Sequence, residues 1–261
     1  MSPASSVTAP SAETRLAVRG LRMRYPNGKL ALDGVDLTVN AGELVTILGS
    51  NGSGKTTLLR CVARLLDPCE GEVLVDGRDL ARLNGEPLRQ ARLALAMVFQ
   101  RANLVRRRSV LANVVSGTLG RNRTWWTALG GLPAEELPLA HELLRKVGVE
   151  QLGRQRADTL SGGQAQRAAI ARALAQRPKL VLADEPVASL DPEAAEEIMR
   201  LLRQLAIDSG LAVLCVLHQP ALALRYSHRV VGLRDGAVVF DLPAALCAER
   251  SIALLYRDVA A

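Results

Sequence analysis

Aromatic side chains are scarce: Phe, Trp and Tyr together make up 3% of 261 residues, so a core must be built from Leu, Val, Ala and Ile. Long apolar runs are missing too. The longest, Leu93–Phe99 and Leu211–Leu217, are strand-sized and fall well short of the ~20 residues a spanning helix needs. The four cysteines, Cys61, Cys69, Cys215 and Cys247, have no metal-ligand spacing, which argues against a zinc module and reads as reduced cytosolic thiols. Residues 1–14 have neither the basic start nor the apolar stretch of a secretory signal and read as a disordered tail.

What is present is ordinary for a folded protein: 49% hydrophobic and 23% charged residues, in a chain long enough for one large α/β domain or two small ones. The formal charge of +7 suits an anionic partner, whether nucleotide phosphate, an anionic membrane surface or nucleic acid, or else serves solubility alone; charge does not choose among these.

Leu16–Arg24 and Leu32–Val39 alternate like half-buried antiparallel strands around a Pro26-Asn27-Gly28 turn. Glu43–Leu48 predicts a buried strand, Lys55–Leu66 a helix, Glu72–Val75 and Leu95–Phe99 further strands. Between about 101 and 159 the texture turns helical, with helices expected over Val110–Leu119 and Ala134–Val147. After it, helix and strand alternate: Gln164–Gln176, Leu180–Ala183, Pro192–Asp208 and Ala212–Leu217, closed by a hairpin of Val230–Leu233 and Ala237–Phe240. Such alternation implies a largely parallel sheet with helices on its faces.

Gly49-Ser50-Asn51-Gly52-Ser53-Gly54-Lys55-Thr56 lies between an expected strand and an expected helix. Its G-x-x-x-x-G-K-[ST] spacing is that of a phosphate loop. Glycines let backbone N–H groups turn inward into an anion nest, and the helix points its positive end at the phosphates. Lys55 supplies a mobile charge for the β- and γ-phosphates, and Thr56 a hydroxyl ligand for Mg²⁺. A second signal is Leu180–Pro186, an apolar strand that ends in adjacent carboxylates. Asp184 suits a partner for Mg²⁺. Glu185 is expected to face elsewhere, since neighbours on a strand point oppositely, and so to act as general base on an attacking water.

The third signal, Leu160-Ser161-Gly162-Gly163-Gln164, stands just ahead of a helix. It is another anion-binding helix start, with Ser161 as N-cap. One phosphate loop already serves one nucleotide, so a second receptor makes sense if it completes the site of another copy.

At this point the sequence resembles the ABC ATPase family over about Leu16 to Leu242, and Leu160–Gln164 matches the family signature letter for letter. The resemblance implies an α/β fold: a RecA-like P-loop NTPase core with an antiparallel β subdomain and an inserted α-helical subdomain. It would divide the chain into an ABC ATPase domain over 15–248, its helical subdomain over about 101–159, and a C-terminal extension over 249–261. It implies ATP and Mg²⁺ as ligands. The nucleotide would be held by Tyr25 stacked on adenine, by 49–57 including Thr57, and by Ser161, Gly162, Gly163 and Gln164 of the opposite copy. Gln100 would sense the Mg²⁺ and a membrane partner, His218 would contact the γ-phosphate, and Ser189-Leu190-Asp191 the opposite subunit. Lys55, Glu185 and His218 would carry the chemistry, and Thr56, Gln100 and Asp184 the metal. Asp191 can equally cap the helix that Pro192 begins.

The implied partners are a second copy of the chain, two membrane permease subunits and, indirectly, a periplasmic or extracellular substrate-binding protein, with no nucleic acid. The place is the cytoplasmic side of the cell (inner) membrane, as a peripheral subunit. Asn103-Leu104-Val105, Arg107–Leu111, Asn113-Val114, Gly117, Leu119-Gly120-Arg121, Trp125-Trp126, Ala183–Pro192 and Leu217-His218-Gln219 look like the phosphonate-importer ATPases. Ala165 and Leu242 depart from common family residues without removing a phosphate-binding group. Alternatives are an importer ATPase for phosphate, phosphite or polar amino acids, and a soluble ABC ATPase of a phosphonate-degrading or nucleic-acid complex. A nucleotide-binding module without turnover is a further one, against which Glu185 and His218 speak. On a helix the paired tryptophans would lie ~100° apart and could not both face one core; one would reach a partner or a membrane interface, or the pair would anchor a surface loop. Arg106–Arg108 would face an anionic membrane, the permease or solvent.

Overall fold

The computed structural model describes residues 13–122, 127 and 131–256. The N-terminal tail up to residue 12 and Trp125-Trp126 lie outside the described residues.

Two sheets organise the chain. Strands β1 (Thr14–Arg24), β2 (Leu30–Asn40), β4 (Glu70–Val75) and β5 (Arg78–Asp79) form an antiparallel sheet in the order β2-β1-β4-β5. The second sheet runs β10-β9-β3-β8-β7-β6, with β3 (Leu44–Leu48), β6 (Leu95–Val98), β7 (Leu180–Asp184), β8 (Ala212–Val216), β9 (Arg229–Arg234) and β10 (Ala237–Pro243). Its strands pair in parallel except β10, which joins β9 antiparallel.

The parallel strands are apolar on both faces because both faces are covered. Along β7, Leu180 and Leu182 enter one core, while Val181 and Ala183 enter another. The first core lies between the two sheets and encloses Leu58, Leu59 and Val62 of helix α1 (Lys55–Val62). The second lies beneath a helical layer. That layer includes α3 (Val110–Ser116), α4 (Leu137–Lys146), α5 (Gly162–Ala175) and α6 (Pro192–Ser209).

Because β3, β7 and β8 are parallel and in register, their carboxyl ends emerge together: Ile47 and Asp184 both pair with Val216. Loops that leave this edge share one crevice, the usual ligand site of open parallel sheets.

Helix α1 ends four residues before the periodicity predicts. Arg64 takes the left-handed region (φ 54°), and the N–H groups of Leu65 and Leu66 fold back onto Arg60 O. That closure stops a helix whatever apolar residue follows. Helices α2 (Gly85–Arg92), α7 (Pro220–Tyr226) and α8 (Glu249–Tyr256) were not expected from the pattern: α2 has only Ala91 buried and α8 only Leu255. Among the described residues no helix is long and apolar enough to cross a membrane. All four cysteines are free, and burial pushes the Cys61 thiol up to about 12.

Candidate functional site

The loop that leaves β3 at Leu48 turns sharply into α1. Gly54 has φ 105°, and a Cβ there would stand 2.5 Å from the carbonyl oxygen of Ala31, so glycine is needed for both conformation and room. The turn leaves the first N–H groups of α1 without helical partners, aimed at the space above the loop. Ser53 is 3% exposed, and its hydroxyl has no hydrogen-bond partner among the described residues. An unpaired buried hydroxyl beside free amides is the donor set an anion requires. Lys55 is 5% exposed and curls over the loop, donating to Gly49 O and Ser50 O at 2.8 Å each. Burial pushes its ammonium below the usual lysine range, against the pull of Glu185 and Asp184.

Thr56 Oγ1 donates to Asp184 Oδ1 at 3.2 Å, which joins the phosphate loop to the end of β7. Burial pushes the Asp184 carboxyl up, and the Thr56 hydrogen bond opposes this. A hydroxyl and one desolvated carboxylate suit a Mg²⁺ ion that keeps waters and phosphate oxygens as its other ligands. No group of three or more His, Cys, Asp or Glu side chains placed to hold a metal occurs among the described residues.

Glu185 is placed differently from the expectation. It is not a strand residue facing away from Asp184: it is the first residue past β7, in the left-handed region (φ 51°), with its N–H bonded to Val216 O at 3.2 Å. The backbone kink, rather than strand alternation, directs its side chain. Its Oε1 lies 2.5 Å from Nε2 of His218, which follows β8 by two residues. The Tyr25 hydroxyl meets Thr57 Oγ1 at 3.0 Å. Tyr25, Lys55, Thr56, Glu185 and His218 line one cleft of about 390 Å³, together with Asn51, Gly52, Gly54 and Thr57. Lys29 and Ala31 line it as well and carry no motif signal.

Gln100 does not line that cleft; it is exposed beyond β6. Its segment is gripped by α5, whose Gln166 Nε2 donates to Phe99 O at 3.1 Å and whose Arg172 donates to Ala102 O at 2.9 Å and Asn103 O at 2.7 Å.

The turn Ser161–Gln164 lies elsewhere. Ser161 Oγ accepts from Gln164 N–H and Gln164 Oε1 accepts from Ser161 N–H, a closed capping box at the start of α5. A Cβ on Gly162 would come within 3.0 Å of Leu190 Cδ2, so the turn sits close against the loop before α6. Ser161, Gly162, Gly163 and Gln164 line a cleft of about 330 Å³ with Ser189, Leu190 and Asp191, and no residue is common to the two clefts. Asp191 also caps α6, accepting from Ala194 N–H at 2.9 Å. Arg167 and Glu197, which sequence patterns did not single out, line this second cleft as a 2.7 Å ion pair.

A phosphate loop at the carboxyl edge of a parallel sheet, bonded to an acidic strand end, defines a P-loop nucleoside-triphosphatase. Within that class, the family model described as ABC transporter matches residues 32–188. The chain is 46% identical over 230 residues to a phosphonates import ATP-binding protein of Alcaligenes faecalis, covering 88% of this chain and 83% of that one. A protein of the same description from Nitratidesulfovibrio vulgaris is 46% identical over 232 residues, 88% of each chain. Among solved structures, a Clostridium perfringens protein described as part of an ABC transporter complex superposes with a TM-score of 0.80 at 29% identity, covering 92% and 93%. A dimeric ATP-binding cassette in a post-hydrolysis state with ADP and Pi gives 0.76 at 34% identity, covering 88% of this chain and 98% of that one. The chain belongs to the ABC transporter ATP-binding family.

Proposed function

We propose that the chain hydrolyses ATP as the energy-supplying subunit of a phosphonate importer, in a two-fold dimer that places each nucleotide between two copies. The observation that carries this reading is the separation of the two anion-binding turns. Asn51, Gly52 and Gly54–Thr57 of the phosphate loop line one cleft of the protomer and residues 161–164 another, so one nucleotide can meet both only if the second turn belongs to another copy. The description of close relatives as phosphonates import proteins supports the cargo.

In this reading Tyr25 stacks on the adenine, and its hydroxyl is oriented by Thr57. The loop amides and Lys55 take the β- and γ-phosphates, releasing Lys55 from Gly49 O and Ser50 O. Thr56 and Asp184, with Gln100 brought in on closure, would hold Mg²⁺, which neutralises phosphate charge. Glu185 accepts a proton from the water that attacks the γ-phosphorus, and the bond to the β-bridging oxygen breaks, giving ADP and phosphate. His218, bridged to Glu185, steadies that carboxylate and donates toward the γ-phosphate. Ser161, Gly162 and Gly163 of the other copy complete the cradle, so loss of the γ-phosphate loosens the dimer. The permease subunits receive that motion at the membrane's inner face.

The test is uptake of a labelled phosphonate by the chain reconstituted with a phosphonate-import permease and its binding protein. Uptake that needs ATP and resists excess phosphate supports the cargo; uptake competed fully by phosphate would reassign it.

A further inference from the structure

A third cleft, of about 210 Å³, lies where the end of α4 meets α5 and α6. It adjoins the cleft of Ser161–Gln164, because Arg167 and Glu197 line both. The rest of its charge is cationic. Arg145 and Lys146 come from the last turn of α4 and Arg200 from α6, and Glu197 is the one carboxylate among the described residues that line it. Little of this charge is neutralised. Arg145 stands 3.8 Å from Glu150, a long and exposed pair. Lys146 Nζ donates to a neutral group, Ser209 Oγ, at 2.7 Å. Arg200 is exposed and has no hydrogen bond or ion pair among the described residues.

Arg167 is the partition between the two clefts. Its Nη2 donates to Glu197 Oε2 and its Nη1 to Val147 O, at 2.7 and 2.8 Å. Gly148 leaves room for it: with φ 75°, a Cβ there would stand 3.2 Å from Arg167 Nη1. The guanidinium thus belongs to both clefts, and its bond to Glu197 cancels the carboxylate charge that the second cleft would otherwise carry.

We propose that the third cleft binds a small phosphate-type dianion, inorganic phosphate or a phosphonate, and that its occupancy slows ATP hydrolysis; the slowing rests on the shared-site reading above. Like charges held together in a concave wall raise the local potential and favour an anion. Guanidinium forks match a tetrahedral oxyanion two bonds at a time. The cleft has about half the volume of the one above the phosphate loop, which suits a phosphate with its waters rather than a nucleotide. No aromatic side chain among the described residues lines it, so a base would find nothing to stack on. A dianion here competes with Glu197 for Arg167. Glu197 then turns an unpaired negative charge toward the second cleft, where the other copy's γ-phosphate would lie, and the two repel. The dimer closes less readily and turnover falls. Phosphate released by hydrolysis and a phosphonate brought in by import share this chemistry, so either would act as feedback.

The experiment titrates inorganic phosphate into the nucleotide-free chain by calorimetry, for wild type, Lys55→Ala and Arg200→Gln/Lys146→Gln, with methylphosphonate as a second arm. Wild type should take two phosphates. One should be lost in Lys55→Ala, and the other weakened at least ~10-fold in the double variant, which should match wild type in circular dichroism and in ATPase activity without phosphate. With ATP varied, phosphate acting at the third cleft should lower wild-type kcat, whereas competition at the phosphate loop raises KM alone. The double variant should need ~10-fold more phosphate for the same fall in kcat. Tighter binding of phosphate marks feedback by product, and tighter binding of methylphosphonate marks feedback by cargo. Undiminished binding in the double variant overturns the site, and so does a wild-type chain that takes phosphate at the phosphate loop alone. Binding that leaves kcat unchanged overturns the feedback. Full turnover by a chain that stays monomeric with ATP overturns the shared-site reading but not the binding comparison.

Discussion

Gln166 Nε2 donates to the carbonyl oxygen of Phe99 at 3.1 Å, so the helix that begins at the signature turn holds the residue just before Gln100. Gln166 is 2% exposed, and among the described residues no other side chain of the helix bonds to that carbonyl. Gln166→Leu keeps the volume and removes the bond. The expected cost is about 1 kcal/mol for losing one bond to a half-buried carbonyl, read as a Tm fall of a few degrees. Permease-stimulated ATPase should fall more than basal ATPase. Equal losses in both rates would mean that the bond only stabilises the fold.

Glu185→Gln removes the base and keeps the size and most of the contact with His218. Turnover should drop by ~10²–10⁴-fold, with ATP binding retained. Size-exclusion chromatography with ATP and Mg²⁺ should show a dimer that wild type, by hydrolysing, does not accumulate. A variant that stays monomeric at saturating ATP would contradict a site shared between copies.

Gly54→Ala should fail in a different way. Its Cβ would sit in left-handed backbone and against Ala31 O. Strain of about 1–3 kcal/mol is expected, and the loop must distort. Nucleotide affinity, measured by titration calorimetry, should fall even where circular dichroism reports a folded chain; unaltered affinity would remove the phosphate loop from the site.

Asp76 joins the two sheets at the rear of the molecule. Its carboxylate meets Arg15 Nη1 and Lys179 Nζ, each at 2.6 Å. The Lys179 hydrogen bond, then Arg15, hold it below the usual aspartate range, against some burial. A depressed carboxyl stabilises the fold above its ordinary pKa and loses that contribution as pH falls through the folded value. Asp76→Asn should therefore lower Tm near neutral pH by a few degrees, for a partly screened pair of about 1 kcal/mol. The gap to wild type should close below about pH 4. A gap that persists in acid would assign the effect to shape rather than charge.

Much of this was legible in the residues. The glycine spacing of 49–56 and the uninterrupted apolar runs of β7 and β8 are direct consequences of their environments, an anion nest and a sheet covered on both faces. What escaped was set by backbone geometry or by distant neighbours. The direction of Glu185 depends on a left-handed φ that its own residue type does not favour. Lys29 enters the cleft above the phosphate loop because Asn27 Oδ1 accepts its N–H at 3.1 Å and Tyr25 N–H donates to its carbonyl at 2.9 Å; the Pro26-Asn27-Gly28 turn was legible, but not where it aims the residue after it. Helix α2 buries only Ala91, and eight mostly polar residues give an apolar stripe too short to stand out in the sequence.

The self-closed turn at Ser161–Gln164 has one more consequence. Its two side chains already accept hydrogen bonds within the protomer, so the Gly162 and Gly163 N–H groups can donate to an anion without rearrangement of the turn. In a site shared between copies, little conformational entropy would therefore be lost on that side when a partner's nucleotide arrived. Clamping would then be timed by the supply of triphosphate, not by the folding of a flexible latch.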